Sequence, residues 1–124
     1  MTDNSTGLVW QKCSDGLSGT NCETGSVATV TWANALTYCN ANTAALPGSG
    51  WRLPNTYELY SLADSGVAIA PFINSTYFPA TASDNYWSST SRLGTFTSAI
   101  GMSFLNGTPI NITKSSSKYV RCVR

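Results

Sequence analysis

Trp51-Arg52-Leu53-Pro54-Asn55-Thr56-Tyr57-Glu58-Leu59 joins a short buried strand to the start of a helix. In a strand Trp51 and Leu53 share one face and Arg52 takes the other. Pro54 disfavours the helical conformation at Leu53 and so ends the strand. Asn55 is a favourable N-cap, and Glu58, three residues on, can reach back to the Asn55 backbone N–H. Leu59, Leu62 and Ala63 follow at helical spacing, which predicts a helix ending near Asp64-Ser65-Gly66. These residues specify scaffold rather than chemistry: a buried Trp, a paired Arg and a capped helix. They divide the chain into a helical first half and a sheet-forming second half.

Upstream, Gly7-Leu8-Val9-Trp10-Gln11 reads as a first strand with Leu8 and Trp10 on one face. Thr31 to Cys39 reads as a helix with Thr31 as N-cap, because Trp32, Ala35, Leu36 and Cys39 fall at i, i+3, i+4 and i+7. Residues 67–83 are irregular, with Phe72, Ile73, Tyr77 and Phe78 expected to plug the loop onto the core; structured loops of this length are often functional. Downstream the pattern is strand: Tyr86 to Thr90, then Thr95 to Leu105 with Gly101 as a bulge, then Thr108 to Thr113. Asn106-Gly107 predicts a type I′ hairpin turn. Lys118 to Arg124 is the last strand, with Val120 and Cys122 on one face and Tyr119, Arg121 and Val123 on the other. The expected order is strand, helix, helix and an antiparallel meander.

A chain of 124 residues is a single domain spanning residues 1–124. Hydrophobic residues make up 42% and charged residues only 10%, against about 25% charged in an average soluble protein. There is no histidine, which removes the commonest general base, metal ligand and pH switch together. No paired carboxylates, no Ser beside an identifiable base and no Gly-rich phosphate loop occur, so the chain reads as non-enzymatic, with no cofactor and no metal. No apolar run approaches the about 18 residues of a membrane span. Met1 leads directly into polar Thr2-Asp3-Asn4, so no signal peptide is read, and the chain is expected to begin as an excised or mature domain.

Four cysteines without His or a Cys-x-x-Cys pair point to two disulfides and an oxidising compartment. Three pairings are open. Cys13 and Cys22 flank a loop that can close locally, which leaves Cys39 with Cys122. On chain-entropy grounds the short loop contributes about 2.7 kcal/mol and the long one about 4.5 kcal/mol.

Charge is distributed unevenly. Residues 1–84 hold Lys12 and Arg52 against six acids, a net of −4, whereas residues 85–124 hold Arg92, Lys114, Lys118, Arg121 and Arg124 with no acid, a net of +5. A basic sheet face with Tyr119 beside it attracts sulfated or phosphorylated polymers in a salt-dependent way. Arg92, Lys114, Lys118, Tyr119 and Arg124 are therefore the candidate ligand-binding residues. Arg121 is also a candidate for pairing with a buried carboxylate. The ordinary explanation, solvated charge on exposed strands, stands beside this one. A pI near 7.6 argues against nucleic acid. The Ser-, Thr- and Asn-rich stretches Arg92 to Thr97 and Asn106 to Ser117 offer a second class of function, a protein-binding face.

Several motifs together resemble a known family. Asp3-Asn4-x-Thr6-Gly7-Leu8-x-Trp10-Gln11, Thr31-Trp32 with Tyr38-Cys39, Trp51-Arg52-Leu53-Pro54 with Glu58-Leu59, Tyr77-Phe78-Pro79, Tyr86-Trp87-Ser88-Ser89-Thr90 and Tyr119-Val120-Arg121-Cys122-Val123-Arg124 occur in order over nearly the whole chain. They resemble the C-terminal domain family of the Legionella collagen-like adhesin. The resemblance implies an α+β, C-type-lectin-like fold with two helices, antiparallel sheets and adjacent N- and C-terminal strands. It implies a helix-to-last-strand disulfide, in agreement with Cys39–Cys122. It also implies an extracellular or cell-surface adhesin domain that meets an acidic polysaccharide or host surface glycan, with a protein ligand or a trimerising, structural role as alternatives. The sequence departs from calcium-dependent lectins, since it has no Glu-Pro-Asn, Gln-Pro-Asp or Trp-Asn-Asp tripeptide. Cys13 and Cys22 have no counterpart implied by the family.

Overall fold

The computed structural model describes residues 1–124. The chain is α+β: β1 (Leu17–Ser18), β2 (Thr24–Gly25), α1 (Trp32–Asn40), α2 (Thr56–Tyr60), β3 (Asn85–Ser91), β4 (Ser98–Ser103) and β5 (Thr108–Thr113). β1 and β2 form a small antiparallel hairpin, and β3-β4-β5 form the main antiparallel sheet in that order. No helix is long and apolar enough to cross a membrane.

The main sheet is covered on both sides. Side chains alternate across a strand. Trp87, Ala99 and Ile112 join Ala35 and Cys39 of α1 with Trp51, Leu53, Val120 and Cys122 in one core. Tyr86, Met102 and Phe104 join Leu59 of α2 with Trp10, Ile73, Phe78 and Val123 in the other. α1 and α2 thus pack on opposite faces. The sequence pattern already separated Val120 and Cys122 from Val123, and the two cores confirm the alternation.

The C-terminal segment is the hub. Its even residues bond one way: Lys118 exchanges backbone hydrogen bonds with Val30, Val120 O accepts from Asp15, Cys122 O from Gln11, and Arg124 exchanges bonds with Val9. Its odd residues bond the other way: Tyr119 to Asn85 and Trp87, and Val123 to Arg52 in both directions. This alternation satisfies the buried main chain but spreads the bonds over many partners. The expected terminal strands, residues 7–11 and 118–124, are therefore isolated bridges rather than continuous ladders. They do lie side by side, with Val9 N–H to Arg124 O at 2.8 Å. The last segment joins β3 in parallel at Tyr86 and Tyr119, so it leaves the antiparallel meander. Of 58 backbone–backbone bonds, 40 lie outside the helices and strands, so loops carry much of the architecture.

Both disulfides form as preferred, Cys13–Cys22 and Cys39–Cys122. The second ties the buried face of α1 to the hub. The Asn55 capping box is complete.

Several further expectations are corrected. α2 ends at Tyr60, because Leu62 and Ala63 make tighter i→i+3 bonds and the Asp64 N–H is taken by Phe72 O at 2.9 Å. β4 begins at Ser98, because Thr95 and Ser98 close turns onto Arg92 and Thr95 and leave Phe96 exposed. Gly101 is not a bulge. The irregularity lies in β3 between Trp87 and Ser91, and Gly101 pairs regularly. The hairpin turn is not type I′: Ser103 pairs with Thr108 across four residues, and only Gly107 has positive φ, whereas type I′ needs it at both central positions. In the 67–83 loop Ile73 and Phe78 are buried as expected, while Tyr77 stays exposed.

A basic face at the start of the first helix

Thr31 stands at the N-cap of α1 but makes no side-chain capping bond. The orphan N–H of Trp32 is taken instead by the Lys114 carbonyl at 3.2 Å. That bond fixes the end of β5 against the helix start. The Lys114 N–H goes to Thr97 O at 2.8 Å, so the β3–β4 loop is tied to the same place.

The side chains complete the arrangement. The Lys114 ammonium lies 4.0 Å from the centre of the Trp32 ring and donates to Ser91 Oγ at 3.0 Å. The Trp32 indole N–H donates to Ser88 O at 2.9 Å, which fixes the ring. Arg92 directly follows Ser91 and is exposed. Lys118 enters from the other side of the Ser115-Ser116-Ser117 turn, held by its bridge to Val30. Of the predicted residues, Lys114 is thereby seated on the first turn of α1, the Lys118 main chain is bridged to Val30 just before it, and Arg92 follows Ser91 in sequence.

The other two are elsewhere. Tyr119 stacks on Tyr86, ring centres 5.4 Å apart, and packs against the core on the α2 side. Arg124 lies six residues beyond Lys118, roughly 20 Å along an extended segment. Its guanidinium sits 5.5 Å from the Trp51 ring and beside Gly48. There it lines a separate cleft of about 220 Å³ with Lys12, Val9 and Pro47. The two Ser/Thr/Asn-rich stretches also separate: residues 92–97 and 114–117 share one end of the β4–β5 hairpin, and Asn106 is at the other.

Arg121 is removed from the surface altogether. It is fully buried, its guanidinium 4.7 Å from the Phe78 ring, and it donates to Gln11 O at 2.9 Å, to Lys12 O and to Thr81 Oγ1 at 2.9 Å. No carboxylate is among its partners, so the expected buried ion pair does not exist. Burial pulls its pKa below the usual arginine value, opposed by Tyr86.

Two carboxylates have identified surroundings near these elements. Glu58 is spent on Arg52 at 2.7 Å. Asp15 reaches α1 near Tyr38, six residues and about 9 Å along the helix from Trp32. Burial raises the Asp15 carboxyl above its ordinary range, with the Tyr38 hydroxyl partly offsetting it. Tyr38 is itself pushed up to about 12, mainly by burial. What sequence reading missed here is Trp32, which reads as an ordinary core-facing helix residue. A Trp at the helix start, with a Lys at the end of the last hairpin, gives no local signal of contact.

No curated protein matches the sequence. The family model of the Lcl C-terminal domain matches residues 1–124, the whole length, and the chain belongs to that family of adhesin-associated domains.

Proposed function

We propose that this is a non-enzymatic recognition domain of a cell-surface or secreted protein, and that it binds acidic, above all sulfated, polysaccharide through Arg92, Lys114 and Lys118. The observation that carries the reading is the Lys114 ammonium seated on Trp32 and bonded to Ser91. An ammonium has three donors, and Ser91 uses one. The side chain is held before a ligand arrives, which lowers the ordering cost of binding. Arg92 adds a fork that suits sulfate. The segments that build the face, residues 26–57 and 85–124, contain no acid in their sequence. The family's adhesin association and the two disulfides support an extracellular setting.

The test is retention on a heparin column at rising salt. The wild type is expected to bind at low salt and to elute as salt screens the charges. A Lys114→Ala, Lys118→Ala double variant is expected to elute earlier. A wild type that passes through at low salt overturns the reading.

A second reading rests on a different observation. Leu93 and Phe96, beside Arg92 in the β3–β4 loop, are 97% and 86% exposed. Apolar side chains presented in this way suit a protein ligand. Binding that persists at high salt and falls in a Leu93→Ala, Phe96→Ala variant favours this alternative.

A further inference from the structure

A cleft more than twice the volume of the one beside Arg124 lies at the opposite end of the hairpin from the basic face. It measures about 480 Å³ and is lined by Tyr60, Asp64, Ser65, Phe72, Asn106 and Gly107, together with Ala63. That volume lies in the about 300–1,000 Å³ range of small-ligand sites. Its walls come from three segments pinned together. The Asp64 N–H bonds to Phe72 O, the Phe72 N–H bonds to Phe104 O, and the Gly107 N–H bonds to Ser103 O, each at 2.7–2.9 Å. Gly107 has φ +74°, and a Cβ there would meet Phe72 only in ordinary contact at 3.7 Å.

The chemistry of the lining is one-sided. It includes no Lys or Arg. Asp64 Oδ1 accepts from the Gly66 N–H at 2.9 Å, and Asp64 forms no salt bridge, since the chain's one such pair is Arg52–Glu58. A carboxylate without a cation partner thus shares the cleft with Tyr60, which is half-exposed, and Phe72. The ring faces are also negative and attract cations. An anionic ligand would be repelled, and a neutral one would leave the carboxylate's charge uncompensated.

We propose that this cleft is a binding site for an alkylammonium cation, with Asp64 supplying charge and Tyr60 and Phe72 supplying ring faces. Nothing in it depends on the basic face. The Ser65 hydroxyl and the Asn106 side-chain carbonyl are further acceptors, which a primary ammonium could use and a methylated one would not need.

The test is a titration followed through backbone amide NMR shifts, using tetramethylammonium chloride, methylammonium chloride, tert-butanol and methyl glucoside. Saturable shifts at Asp64, Gly66, Phe72 and Gly107 are expected with at least one of the two cations. The tighter of the two identifies the methylated or the primary class. Asp64→Asn retains the acceptor for the Gly66 N–H and is expected to weaken the cation about fivefold or more. Tyr60→Ala, at a half-exposed position, should weaken it comparably. Three results overturn the proposal: equal binding of tert-butanol, tighter binding of methyl glucoside, or unchanged cation affinity in both variants.

Discussion

Two arginines with the same charge are used in opposite ways. Arg121 is a buried spacer, its guanidinium stacked near Phe78 and satisfied by backbone carbonyls and hydroxyls, with Nε left without a partner. Arg52 stays partly exposed and makes a two-pronged pair with Glu58, both contacts at 2.7 Å. The Arg52 hydrogen bonds hold the Glu58 carboxyl below its ordinary range, partly opposed by burial and helped by the Asn55 N–H. A carboxyl depressed in the folded state contributes stability above its unfolded pKa, about 4.3, and loses it as pH falls through the folded value. Glu58→Gln keeps a capping side chain but loses the pair, which is worth about 0.5–1 kcal/mol at this exposure. The variant is expected to melt below the wild type at neutral pH, with the gap closing as the pH falls through the lowered folded-state value of Glu58. A gap that persists in acid would assign the loss to capping or packing. The Asn55–Glu58 box and the Arg52 face were legible in sequence because both are local rules. The partners of Arg121 were not, because they are mostly main-chain carbonyls, which every residue carries.

Elements with a short-range signature were read well, and those that end on a distant contact were not. α1 begins and ends where its periodicity and Thr31 put it. α2 stops early because Phe72, from another loop, takes the next donor. The β1–β2 hairpin has two residues per strand and no periodicity to read. Gly101 looks like a bulge in sequence, but its reason is proximity: a Cβ there would fall 2.5 Å from Ile112 Cδ1 and 2.7 Å from Tyr86 O. Neither neighbour can yield freely, since Ile112 is in the core and Tyr86 O is main chain. Gly101→Ala is expected to cost about 1–3 kcal/mol, measured by urea denaturation. Adding Ile112→Val, which deletes Cδ1, should recover part of that loss. A neutral Gly101→Ala would show that the sheet has slack at this point.

At the scale of the molecule, the charge asymmetry was visible in the sequence, but its layout was not. The five cations counted after residue 84 separate: Lys114 sits on Trp32 at the α1 start with Lys118 bridged to Val30 nearby, Arg92 is exposed after Ser91, Arg121 is buried and Arg124 lies beside Trp51. Strand alternation places Arg121 inside the sheet's contacts. The docking of residues 114–118 onto residues 30–32 decides the rest, and that is a tertiary event without a sequence signature. The two clefts share no lining residue with each other or with Trp32, Ser91 and Lys114, so ligands at these places are expected to bind independently.

The most direct test of the central claim is isothermal titration of a heparin-derived oligosaccharide into the wild type, the Lys114→Ala, Lys118→Ala variant and Arg124→Ala at fixed low salt. Losing two cations from the face should weaken binding about tenfold, taking each exposed contact at under about 1 kcal/mol, while Arg124→Ala should stay within about twofold of the wild type. Equal losses in both variants, or a loss confined to Arg124→Ala, would contradict a polyanion site at the start of α1.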